Sequence, residues 1–175
     1  CSALGAAMTC GVPSVATEQE PQKPNILFII SDQLGLDAIA AHGCPDVSTP
    51  NMDRLIACGT TFLESHSTSP VCSPARSSFY TGRMPVETGV HQNTLPMVDG
   101  MPTMGEVFRD SGYDTYHAGK WHMPDGYPTE LPGFTVIPAG GGQGDLLDFT
   151  VGMSCEAVIR NHPGDTPWLM VASFM

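Results

Sequence analysis

The run NILFIIS, from Asn25 to Ser31, limits the fold of this chain more than any other stretch. A short, uninterrupted apolar run bounded by turn residues is the pattern of a strand covered on both faces, as in a parallel sheet. It stops abruptly at the acidic, glycine-bearing DQLG, Asp32 to Gly35. In open α/β sheets ligands gather beyond the carboxyl ends of the strands, so Asp32 and Gln33 stand where chemistry is expected. PWLMVASFM, Pro167 to Met175, repeats the buried-strand pattern.

The intervening chain alternates. STPNMDRLIACG, Ser48 to Gly59, has a Ser/Thr cap, an early proline, apolar Met52, Leu55 and Ile56, and a closing glycine, which predicts a short helix. TTFLESHS, Thr60 to Ser67, is a candidate strand. MPTMGEVFRDSGYDTYHAGKWH predicts a helix from about Pro102 to Ser111, a cap at Gly112 and a strand from Tyr113 to Ala118. That strand delivers Lys120 and His122 at its end. Pro124 to Gly144 is dense in Gly and Pro and reads as a loop. Strands alternating with helices predict an α/β fold, a mostly parallel sheet flanked by helices. A final apolar strand with no helix to cover it leads to the expectation of a chain truncated at its C-terminus.

A chain of 175 residues suits one domain, because about two thirds of the unfolded surface is buried near this size. Its 18 acidic and 7 basic residues give a net charge of −11, which argues against nucleic acid as a partner. No apolar run approaches the roughly 18 residues of a membrane span, so none is expected. CSALGAAMTCGVPSVA, at the start, is small, apolar and uncharged, and its Ser14-Val15-Ala16 resembles the tail of a signal peptide. Cys1-Ser2 could instead open a mature lipoprotein, or the sequence could begin mid-chain. The first two readings imply an exported protein, periplasmic, lipid-anchored or secreted. TEQEPQKP, Thr17 to Pro24, reads as a polar tether, which divides residues 1–24 from an ordered portion, 25–175. The cysteines, Cys1, Cys10, Cys44, Cys58, Cys72 and Cys155, contain no C-x-x-C pair. Most are expected to be small buried residues.

SPVCSPARSSFYTGR, Ser69 to Arg83, concentrates two of the few basic residues beside a cysteine. A phosphate-encircling Cys–Arg loop needs arginine six positions on, where this chain has Ser78, so that reading fails. A thiol nucleophile with a distant histidine stays open on spacing, with nothing around Cys72 to support it. With Pro74 in the first turn and Gly82 at the far end, Cys72 is expected to cap a short helix, whose N-terminus favours anions.

C-x-P-x-R followed by T-G-R, at Cys72 to Arg83, resembles the signature of the type I sulfatases, formylglycine-dependent members of the alkaline phosphatase superfamily. PNILFIISDQLG is similar to that family's first strand and metal-binding turn, TPNMDRLIACGTTF to its next segment, and AGKWH to its sulfate-binding strand end. The resemblance runs from about Pro24 to the C-terminus and covers the N-terminal part of the family's catalytic domain.

The resemblance implies a sulfuric ester hydrolase acting on a sulfated sugar, glycan or small organic alcohol. Cys72 would be oxidised to Cα-formylglycine by a separate maturing enzyme. One hydroxyl of its hydrate would attack sulfur, and proton loss from the other would expel sulfate. Asp32 and Gln33, with the modified Cys72, would hold a divalent metal, usually calcium. Gln33 replaces a second aspartate found in many members, and it resembles the subset containing choline sulfatases and phosphonate monoester hydrolases. Phosphonate monoester or phosphodiester hydrolysis is therefore the alternative activity. Arg76 would orient the formylglycine, Lys120 would bind a sulfate oxygen, His122 would hold or deprotonate the hydrate, and Asn93 would contact the substrate anion. The remaining ligands and the leaving-group acid are expected beyond Met175, so residues 1–175 alone are expected to be inactive. The plainer alternatives are an inert thiol at Cys72, an ion pair at Arg76, a helix cap at Asp32, a strand end that merely tolerates Lys120 and His122, and a turn residue at Asn93.

Overall fold

The computed structural model describes residues 22–124, 126–139 and 145–175. The signal-like and lipoprotein-like readings, and most of the tether, lie outside the described residues. Strands β1 (Ile26–Ser31), β2 (Asp114–Gly119), β3 (Thr135–Val136) and β4 (Trp168–Phe174) form one sheet in the order β1-β4-β2-β3. Every pairing is parallel. Among the described residues the helices are α1 (Pro50–Cys58), α2 (Cys72–Thr81), the single turn α3 (Pro85–Thr88), α4 (Met104–Asp110) and α5 (Asp145–Asn161).

The pleat of β4 explains how the layers are held. Leu169 and Val171 point to one face, where Tyr80 of α2, Trp121 and Phe134 meet them. Met170 and Ala172 point to the other face, against Leu147, Val151 and Cys155 of α5. Each large apolar side chain fully buried this way contributes about 1.5–3 kcal/mol. Successive residues on β4 thus bury opposite faces, which is why its sequence is continuously apolar.

Strand β1 departs from the expectation of burial on both faces. Ile30 is buried against α2's side of the sheet, but Leu27 and Ile29 are 47% and 49% exposed on the other. The cause is position: β1 stands at the sheet edge, pairing only with β4 among the described residues, and α5 covers β4 and β2 rather than β1.

Other expectations need correction. Thr60 to Ser67 form no strand; Phe62 and, on a turn, Leu63 are exposed, and no sheet neighbour among the described residues accepts them. Cys72 is the first residue of α2 rather than its cap, which is Val71. Of the four described cysteines, all free, only Cys155 is buried. The loop from Pro124 includes the short β3, and α5 follows it with no counterpart among the expected elements. No helix among the described residues is long and apolar enough to cross a membrane.

Candidate active site

The carboxyl ends of β1, β2 and β4 converge on the N-terminal half of α2. Helix α2 is interior, with Ser73 through Ser78 and Tyr80 buried. Its small hydroxyl-bearing residues bond within the fold rather than to water: Ser77 Oγ donates to the Pro74 carbonyl, and Thr81 Oγ1 to the Ser77 carbonyl. Gly82 ends the helix at φ 66°, a left-handed conformation that suits glycine.

Arg76, one turn into α2, is 2% exposed. Its Nη2 donates to Asp32 Oδ1 at 3.0 Å, and its Nη1 donates to the Lys120 carbonyl at 2.8 Å and to Ser173 Oγ at 2.7 Å. One guanidinium therefore fastens the ends of three strands. Lys120 Nζ donates to Asp32 Oδ2 at 2.9 Å, and the Cys72 thiol lies 3.7 Å from the same oxygen. Burial by itself would raise the Asp32 pKa, but the bonds and charges of Lys120 and Arg76 outweigh it and hold the carboxyl below its usual value.

This arithmetic leaves the site cationic. One carboxylate faces two buried cations, a local excess of positive charge inside a protein of net charge −11. Such a pocket suits an anion, and desolvation makes its field stronger than the same charges would give in water.

His122 follows two residues after Lys120 and has φ 74°. Gln33, at φ 56°, and Thr94, at φ 66°, share this uncommon conformation for residues with side chains, and all three flank the site. Burial first, then the charges of Lys120 and Arg76, lower the His122 pKa against the opposing pull of Asp32. The shift favours the neutral ring, and Nδ1 is buried without a hydrogen-bond partner among the described residues. A neutral imidazole with a free nitrogen can accept or hold a proton. Ser73 Oγ donates to the His122 carbonyl, which ties this turn to the start of α2.

Asn93 is exposed, and its Oδ1 accepts from the Ser73 amide at 2.9 Å, capping α2 from a distant loop. Gln33 lines a pocket of about 310 Å³ with Asp32, Cys72, Arg76 and Phe79. Asp32 and Gln33 offer a carboxylate and an amide oxygen, the hard donors that calcium takes. No cluster of three or more His, Cys, Asp or Glu gathers among the described residues. The turn after β1 therefore fits such an ion as a partial donor set.

Direct contacts join Asp32, Cys72, Arg76 and Lys120; His122 and Asn93 meet the start of α2 through Ser73, Gln33 lines the pocket beside Cys72, and Arg83 lies apart, paired with Glu87. The site also includes residues that sequence reading missed. Ser173 was recognisable as a polar residue at the end of an apolar strand, the signal that marked Asp32. Tyr80, whose hydroxyl lies 2.8 Å from His117 Nε2, carried no such signal.

The sulfatase family model matches residues 24–130. The chain belongs to the sulfatase family. It is 40% identical over 116 residues to an ulvan-active sulfatase of Formosa agariphila, a match covering 66% of this chain and 22% of that protein. Two solved structures share the fold. One, in complex with its substrate D-glucosamine-2-N,6-O-disulfate, superposes with a TM-score of 0.78 at 21% identity, over 87% of this chain and 34% of the other. The second, a phosphonate monoester hydrolase of Agrobacterium radiobacter, gives 0.70 at 24% identity, over 87% and 41%. The chain thus spans about a fifth of the first relative's length and about a third to two fifths of these structures. The sulfatase chain carries the parallel sheet and flanking helices expected of the alkaline-phosphatase-like fold.

Proposed function

We propose that the full-length protein hydrolyses the sulfate ester of a sugar or small organic alcohol, with Cys72 matured to formylglycine and a divalent metal held in part by Asp32 and Gln33. The observation that carries this reading is the meeting of Cys72, Lys120 and Arg76 around the single carboxylate of Asp32. The names of the relatives, an ulvan-active sulfatase and a protein whose substrate is a sulfated glucosamine, support a sulfated carbohydrate.

In this reading Lys120 binds a sulfate oxygen and neutralises charge that grows as the ester bond breaks. His122, neutral and with Nδ1 unengaged, holds or takes the nucleophile's proton. Arg76 directs three of its N–H donors to the strand ends and so positions Asp32 and the Lys120 turn. Asn93 serves the anion by fixing the start of α2 and by standing beside it. A divalent cation held in part by Asp32 and Gln33 would polarise a sulfate oxygen. The formylglycine hydrate supplies paired hydroxyls, one to attack sulfur and one whose deprotonation releases sulfate, where serine would offer one.

Residues 1–24 then belong to export, which places the protein in the periplasm, on a lipid anchor or outside the cell, and residues 25–175 form the N-terminal portion of the catalytic domain. The activity is assigned to the full-length protein; hydrolysis by residues 1–175 alone, expressed with a maturing enzyme, would contradict that assignment.

Phosphonate monoester or phosphodiester hydrolysis is the second reading, favoured by Gln33 in place of a second carboxylate, which leaves the metal turn one charge less negative. Two measurements decide. The tryptic peptide Leu55–Arg76 from native protein should be about 18 Da lighter than its thiol form, as exchange of CH₂SH for CHO requires. Purified protein should hydrolyse 4-nitrophenyl sulfate faster than an aryl phosphonate monoester; the reverse order would favour the second reading.

A further inference from the structure

A pocket of about 300 Å³ reaches the carboxyl end of β2 and takes no part in the chemistry described so far. Its walls are residues 127–129 and 136–139, and it meets β2 at Gly119, immediately before Lys120. Among the described residues that line it none is charged: Tyr127, Pro128, Val136 and Pro138 supply apolar surface, and Thr129 brings a hydroxyl to the exposed rim.

One wall is fixed to β2 and the other to the turn that follows it. The Trp121 amide donates to the Gly126 carbonyl at 2.8 Å, which holds the first wall against the turn after β2. The Ile137 amide donates to the His117 carbonyl at 2.8 Å, which holds the second. Nearness to the cluster is also felt electrostatically. Burial, then Asp148, push the Tyr127 phenol up, and Arg76 and Asp32 act on it from the site in opposite directions.

We propose that this pocket is the subsite for the alcohol part of the substrate, and that it takes a single neutral ring of hexose size. The inference rests on the proposed sulfatase activity and names the substrate class for it. Pockets for small ligands run from about 300 to 1,000 Å³, so this volume has room for one ring and not for a longer segment. An aromatic ring and prolines present flat apolar surface to the C–H face of a sugar. The described lining offers no charge to a carboxylate or a second sulfate on the ring, which disfavours either. Walls held in advance by backbone hydrogen bonds cost little further ordering when the ring enters.

The test uses the full-length protein, with galactose 6-sulfate as the ring ester and methyl sulfate as the ringless one. Thr129→Trp closes the rim from an exposed position, and Ala139→Leu fills the wall. In each variant the ratio of kcat/KM for galactose 6-sulfate to that for methyl sulfate should fall about tenfold or more. A shift of less than about twofold in both would overturn the subsite. If Ala139→Leu fails to fold, Thr129→Trp decides. Calorimetric titration of wild type and Thr129→Trp with galactose 6-sulfate and with inorganic sulfate needs no turnover. Selective loss of the sugar ester supports the subsite, and equal affinities in both proteins overturn it. If wild type hydrolyses neither ester, the sulfatase reading falls and the titration still decides the subsite. If turnover stands with an unmoved ratio, the subsite alone falls.

Discussion

Arg76 on α2 donates to the hydroxyl of Ser173 at 2.7 Å, joining the helix that bears Cys72 to the end of β4. The same nitrogen reaches the Lys120 carbonyl after β2, and the other terminal nitrogen reaches Asp32 after β1. One side chain therefore ties together the helix that bears Cys72, the turn that bears Asp32 and the turn that bears Lys120. Buried ion pairs of this kind add little net stability over apolar packing, but removing one partner is costly.

Ser173→Ala should test this arrangement gently. It leaves the guanidinium one acceptor short and should destabilise the full-length protein by about 1–3 kcal/mol. Arg76→Met, which also strips Asp32 of a cation, should cost about 3–5 kcal/mol. Urea unfolding midpoints measure both, and a Ser173→Ala effect undiminished in an Arg76→Met background would show that Ser173 does not act through Arg76.

The parts of this site were unequally legible from sequence. Asp32, Lys120 and His122 announced themselves because polar residues following apolar runs mark strand ends. Cys72 and Arg76 were marked by the spacing of their motif. Helix α5 was missed because its inward stripe, Leu147, Val151 and Cys155, is interleaved with Leu146, Phe149 and Met153, which the fold leaves exposed. Thr60 to Ser67 had strand composition without a strand's neighbour, and pairing is a tertiary fact. The Tyr80–His117 contact joins residues 37 positions apart on different elements, so no local pattern could reveal it.

Gly119 should tolerate no side chain. Its φ is +90°, and a Cβ there would stand 1.9 Å from the Ser173 carbonyl oxygen, backbone that is itself paired with Lys120. Gly119→Ala should destabilise by more than about 4 kcal/mol and sharply reduce soluble yield. A thermal midpoint within a few degrees of wild type would contradict the close approach.

Acid should weaken the fold through His117. Burial first, and then the Arg76 charge, lower its pKa from 6.5 to about 3. The folded value lies below the unfolded one, so the unfolded chain takes up the extra proton. This contribution is complete above pH 6.5 and is lost as pH falls from 6.5 toward 3, at about 1.4 kcal/mol per unit or about 2 kcal/mol by pH 5. His122, also lowered, adds to the same window. Asp32, a depressed carboxylate, contributes stability above its ordinary value of 3.8 that is lost only as pH falls through its lower folded value. His117→Phe should lower stability at pH 7 by removing the Tyr80 bond, yet flatten the slope between pH 6.5 and 5 by about one proton. Unfolding free energies across that range check this; an unchanged slope would contradict a neutral buried His117.

Cys72→Ala separates chemistry from architecture. Among the described residues the thiol's side-chain bond is a single 3.7 Å contact with Asp32, so its loss should change stability by less than about 0.5 kcal/mol while abolishing turnover. His122→Gln should keep the turn but lower kcat by about 10²- to 10⁴-fold, because the amide cannot take up a proton. Lys120→Met should weaken binding of the sulfate group, and it should also leave Asp32 with Arg76 as its one cation among the described residues. Steady-state rates on 4-nitrophenyl sulfate, read beside thermal midpoints, resolve these effects. Turnover surviving in Cys72→Ala would remove the nucleophile from the mechanism, whereas a large fall in its thermal midpoint would assign Cys72 to the fold instead.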